Sequence, residues 1–157
     1  MKKANKINWK TLVLSFIAVH LAALVGSLAT KTDTAWYNSV KPSITPPGFV
    51  FPIAWTTLFI LISLSLYFAW TSSKKEQKPA IAILFGINLA LNALWSILFF
   101  GMQMPLSAFI DIILIIISII ALIIFTRKIS KLSSYLLIPY LLWVLFASVL
   151  NLMIVLA

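Results

Sequence analysis

The chain has no cysteine, a single histidine and only three acidic residues among 157. Without cysteine there is neither a disulfide framework nor a thiolate metal site. One imidazole and three carboxylates do not make a zinc or di-iron centre, so no metal is expected. Charge is scarce: 10% of residues are charged and 62% are hydrophobic. A soluble domain averages about 25% and about 45–50%. This is the composition of an integral membrane protein, and the length fits one domain over residues 1–157. No nucleotide loop, nucleophile elbow or HExxH motif is present, which excludes a hydrolase.

What the sequence has in quantity is apolar runs. Five reach the roughly 20 residues that cross a bilayer as helix: 11–29, 49–71, 80–100, 106–125 and 134–156. None shows the alternating polarity of barrel strands. The expected fold is all-α, a bundle of five transmembrane helices. The first run follows a basic stretch and ends in Ser27-Leu28-Ala29. It exceeds the 7–15 apolar residues of a signal peptide, so it is taken as a span. Five spans cannot divide into the equal inverted repeats of many transporters.

The net charge of +9 follows topology rather than a nucleic-acid site. Lys2, Lys3, Lys6 and Lys10 precede the first span, Lys74, Lys75 and Lys78 follow the second, and Arg127, Lys128 and Lys131 follow the fourth. These fall on one side of the membrane, leaving Lys31 and Lys41 on the other. The positive-inside rule predicts a cytoplasmic N-terminus and an outside C-terminus. The connection 30–48 then lies outside. Its Trp36-Tyr37, Lys41-Pro42 and Thr45-Pro46-Pro47-Gly48 fit either a stiff lid or ordinary interfacial anchoring.

Polar residues inside spans are the candidates for function. At about 100° per residue, Asn88, Asn92, Trp95 and Phe99 share one sector of the third span. That sector lines a pocket, or else the amides only tie helices together. Ala82, Gly86, Ala90 and Ala93 form a small-residue ridge on the opposite face, suited to close packing or to a second copy of the chain. Pro139, Tyr140, Trp143, Ala147 and Asn151 share a face of the fifth span, and Pro139 is expected to kink or loosen it. Pro52, Trp55 and Phe59 group in the second, with Pro52 acceptable in a first turn. Asp111, one and a half turns into the fourth, is expected to be a hydrated carboxylate near the interface. His20, midway along the first, is expected to be a buried hydrogen-bonding residue rather than an axial haem ligand.

Three motif groups resemble the TspO/MBR family of tryptophan-rich sensory and translocator proteins. The first is Trp36-Tyr37, Lys41-Pro42-Ser43, Pro46-Pro47 and Trp55. The second is Asn88-Leu89-x-Leu91-Asn92-x-x-Trp95-Ser96-x-x-Phe99-Phe100, and the third Pro139-Tyr140-x-x-Trp143-Val144-x-Phe146-Ala147-x-x-Leu150-Asn151. Order and spacing agree from Trp36 to Asn151. The resemblance implies a cavity closed by the first loop and a homodimer. It implies binding of tetrapyrroles such as protoporphyrin IX or haem as ligands, with no obligatory cofactor. Isoquinoline carboxamide and benzodiazepine-type molecules are implied as synthetic ligands. The implied pocket is Tyr37, Pro46, Trp55, Asn92, Trp143 and Ala147, with Asn88 and Phe59 nearby; Trp95 joins it from the sector argument. In some bacterial members two tryptophans, matching Trp55 and Trp143, serve light-dependent porphyrin degradation. Such an enzyme, or a porphyrin or sterol transporter, is the alternative to a binding and sensing protein. Ile44 departs from the aromatic residue the family often has there, and no basic residue follows Tyr140 to complete a sterol motif.

Overall fold

The computed structural model describes residues 7–157. Lys2, Lys3 and Lys6 of the basic N-terminal group lie outside the described residues. The elements are α1 (Trp9–Ala29), α2 (Ala35–Val40), α3 (Val50–Ser72), α4 (Lys78–Ser96), α5 (Pro105–Arg127), α6 (Lys131–Leu136) and α7 (Ile138–Leu156). A 3₁₀ turn, Lys75–Gln77, precedes α4, and a π-turn, Ile97–Gly101, extends it. No strand occurs among the described residues. Five helical runs are long and apolar enough to cross a membrane, as expected.

The starts of these helices are encoded locally. Asn8 Oδ1 accepts from the Thr11 amide at 3.1 Å, capping α1, and Thr34 Oγ1 accepts from Tyr37 at 3.1 Å, capping α2. Proline opens α4, α5 and α7, where its missing donor costs nothing. For Pro139 this corrects the expectation of a kink within a span. The chain breaks one step earlier, at Leu137, and Pro139 sits in the first turn of α7.

The spans form a ring. α1 packs on α3 and α4, α4 on α5, and α5 on α7; α6 closes the ring onto α3. Ser65 and Ser133 fasten that closure, each hydroxyl donating to the other's carbonyl, at 2.9 and 2.8 Å. Leu58, Ile62, Phe85, Ile112, Ile119 and Tyr140 belong to the buried core. Large aliphatic side chains such as Leu28, Ile53, Ile83 and Ile117 point outward. In water such a belt would aggregate; in a bilayer it is the solvent-matched surface.

Gly26 sets the closeness of α1 and α4. A Cβ there would lie 3.4 Å from the Ala93 Cα and 3.4 Å from Ser96 Oγ. Ala93 is therefore buried against α1, whereas Ala82, Gly86 and Ala90 remain exposed. The four-residue ridge expected from the sequence is thus three residues long.

Candidate functional site

α3 and α7 touch only sparsely, and a cavity of about 380 Å³ lies inside the ring beside that gap. Its volume falls within the range of small-molecule pockets. Trp55 and Phe59 line it from α3, Asn92 and Trp95 from α4, and Trp143 and Ala147 from α7. The lid contributes Tyr37, Pro42, Thr45 and Gly48, and the π-turn Phe99 and Phe100. α5 contributes nothing to the lining.

Aromatic packing holds these walls. The Trp55 ring stacks on Phe59 at 5.4 Å and meets Tyr140 edge-on at 6.4 Å. Trp143 is braced edge-on by Phe51 at 5.9 Å, and Trp95 stacks on Phe99 at 5.0 Å. The Trp95 indole donates to Asn151 Oδ1 at 3.1 Å, and Asn151 Nδ2 donates to the Pro105 carbonyl at 2.9 Å. One asparagine thus joins the aromatic wall to the start of α5.

Asn92 donates to the Tyr140 hydroxyl at 3.1 Å. Tyr140 is fully buried, so this bond fixes which way the amide presents itself to the cavity. Tyr140→Phe is expected to lower stability by about 1 kcal/mol. The midpoint of thermal unfolding checks this; an unchanged midpoint would show that the bond contributes nothing.

The loop 30–48 is a docked lid. Trp36 meets Phe99 at 5.6 Å and Tyr37 meets Phe100 at 5.4 Å. Between the two expectations for this loop, the contacts favour a lid over free interfacial anchors. Burial raises the Tyr37 hydroxyl above the ordinary phenol range, so it remains a neutral donor. Lys41 donates to Asn38 on the lid's exposed side.

The cavity gathers Tyr37, Trp55, Phe59, Asn92, Trp95, Trp143 and Ala147 from the expected set. It leaves out two. Asn88 is fully buried between α4 and α5, where its Nδ2 donates to Ser118 Oγ at 2.8 Å. It faces a neighbouring helix because α5 crosses α4 at that depth, and this corrects its assignment to the ligand wall. Pro46 is half-buried but does not line the cavity; Pro42, Thr45 and Gly48 do.

Two further expectations are corrected. His20 is exposed on the outer side of α1, with Nδ1 bonded to its own helix at the Phe16 carbonyl. α1 lies at the rim of the ring, so half its surface faces outward. Asp111 is buried, at 3% exposure, rather than hydrated. α5 is covered by neighbours on the face that carries it.

Sequence reasoning missed α1 as a wall. Ala23, Gly26 and Ser27 line the cavity. Their small-residue spacing beside the α4 ridge was the available signal. It also missed Thr45 and the indole nitrogen of Trp143. Both Thr45 Oγ1 and Trp143 Nε1 are buried and have no hydrogen-bond partner among the described residues. The cavity therefore pairs flat apolar faces with unpartnered polar atoms, the makings of an oriented ligand site.

The TspO/MBR family model matches residues 14–156. The tryptophan-rich protein TspO of Archaeoglobus fulgidus is 44% identical over 92% of this chain and 95% of its own length. That of Chlorobaculum tepidum is 42% identical over 90% and 91%. The human translocator protein is 31% identical over 86% and 82%. A match over nearly the whole length agrees with the five-span ring and the tryptophan-lined cavity, and the chain belongs to the TspO/MBR family.

Proposed function

We propose that this membrane protein binds a tetrapyrrole, protoporphyrin IX or haem, in the cavity beneath the lid and serves as its sensor. The observation that carries the reading is the pair of unpartnered polar atoms, Trp143 Nε1 and Thr45 Oγ1, set among the rings of Trp55, Phe59 and Trp95. A flat macrocycle stacks on indole, and its polar edge is met by these atoms and by Asn92. Lys31 and Lys41, exposed on the lid side, suit the propionates. No histidine lines the cavity, so binding rests on stacking and polar edges rather than on axial ligation. Isoquinoline carboxamide or benzodiazepine-type molecules should compete for the same space.

Protoporphyrin IX titrated into the purified protein is expected to quench tryptophan fluorescence saturably. Trp55→Phe and Trp143→Phe should each weaken the affinity by roughly tenfold, about 1.4 kcal/mol of lost stacking and bonding. Linear, non-saturating quenching would reject the reading. Because both indoles line one cavity, light- and oxygen-dependent porphyrin degradation is the second reading. Illumination should then yield a distinct product, and either substitution should stop it.

The protein is placed in a bacterial cell membrane, N-terminus cytoplasmic, by its basic residues. A homodimer through Ala82, Gly86 and Ala90 is supported by their outward exposure; a Cβ at Gly86 would meet nothing within 4 Å. Gly86→Leu should reduce the cross-linked dimer several-fold in membranes. An undiminished dimer would place the interface elsewhere.

A further inference from the structure

The one acidic residue within a membrane-crossing helix takes no part in the cavity. Asp111 is 3% exposed, and neither carboxylate oxygen has a hydrogen-bond partner among the described residues. Its helix, α5, packs against α4, α6, α7 and the π-turn. The titratable side chains on those elements are Lys78 at the start of α4, Lys131 and Tyr135 on α6, and Tyr140 on α7; the π-turn has none. α5 itself ends in Arg127. Lys78, Arg127, Lys131 and Tyr135 belong to the opposite end of the bundle. Tyr140 is the one close enough for the carboxylate to act on it. No cation stands ready to balance a charge here, and an unpaired charge loses far more on leaving water than a neutral acid does.

We propose that Asp111 is a proton-binding site, held as the neutral acid in the membrane, and that its proton is linked to the charge of the molecule in the cavity. The link is short. Asn92 lines the cavity and donates to Tyr140 at 3.1 Å, and Tyr140 is the group on which Asp111 acts. A ligand carrying carboxylates brings negative charge to the other side of this wall. It therefore binds better when Asp111 is protonated, and by reciprocity it tightens the proton. Only this second half rests on the tetrapyrrole reading.

Infrared spectra of the full-length protein in bilayers test the first half without any ligand. The chain has three acidic side chains, and the other two, Asp33 and Glu76, are exposed. A carbonyl band of protonated side-chain acid at neutral pH therefore belongs to Asp111. Wild-type protein should show it and Asp111→Asn should lack it. Labelling with ¹³C-aspartate should shift it, which assigns the band even if the variant does not fold. No band at neutral pH overturns the proposal. A band removed by sodium chloride overturns it too, in favour of a cation site.

Protoporphyrin IX titrations across pH test the second half. Wild-type affinity should fall about tenfold as the band is lost, one unit of proton linkage; Asp111→Asn should lack that component. Identical pH profiles in the two proteins would remove the linkage. Absence of binding at every pH would reject the tetrapyrrole reading, while the band would still support the proton site.

Discussion

Ala147→Phe should abolish saturable protoporphyrin binding while leaving the protein folded. Ala147 lines the cavity from α7, on the same face as Trp143. A benzyl group there grows into a space of only about 380 Å³. Overpacking in a filled core typically costs about 1–3 kcal/mol. Here the new ring enters the cavity instead, so the cost falls on the ligand. A planar guest that must share this space should lose at least about 100-fold in affinity, near 2.7 kcal/mol. Tryptophan quenching measures the loss, and the thermal midpoint reports on the fold. Ile83→Phe, on the outward face of α4, is the matched control and should bind as wild type does. If Ala147→Phe binds normally, the ligand sits somewhere else.

Asn151→Leu should cost about 2 kcal/mol of stability, and Asn88→Leu less than about 1. Both asparagines are buried, at 1% and 0% exposure, so exposure alone does not separate them. Their partners do. Asn151 is the acceptor that the Trp95 indole uses, and without it that N–H is left without a partner. The Pro105 carbonyl suffers less, because it opens α5 and has a second lone pair for the first turn. Asn88 donates to Ser118, whose hydroxyl already donates to the Ile115 carbonyl and so keeps a bond. Asn88 Oδ1 has no partner among the described residues, so leucine there also removes an unsatisfied acceptor. Unfolding midpoints of the two variants decide the matter. A larger loss at Asn88 would contradict this account of the α4–α5 seam.

Much of this was legible in the chain because lipid imposes a simple rule. Apolar runs of helical length must span, so five of them placed the helices within a few residues. Asn92, Trp95 and Phe99 were recoverable from a period of 3.6, since all three keep to one face. Asn88 shares that period, but its partner is chosen by where α5 crosses, and crossing points are not written in one helix. α2 was missed for a different reason. Prolines dominate residues 42–47, while the helix depends on a short cap at Thr34. Asp111 was misjudged because depth along a helix says nothing about which face is covered. His20 was misjudged for the same reason, with the opposite outcome.

The π-turn after α4 carries information that no residue type conveys. Its Met102 amide reaches back to the Ile97 carbonyl at 2.8 Å, five residues earlier. Such a turn amounts to one extra residue inserted in an α-helix. Remove one residue from 97–101 and ordinary winding returns, turning whatever follows by about 100°. Every span would survive, and so would the Asn92 and Trp95 walls. Yet the rings of Phe99 and Phe100 that receive Trp36 and Tyr37 would face another way. In this stretch the spacing itself is the latch, so a relative one residue shorter there would keep the room and lose the door.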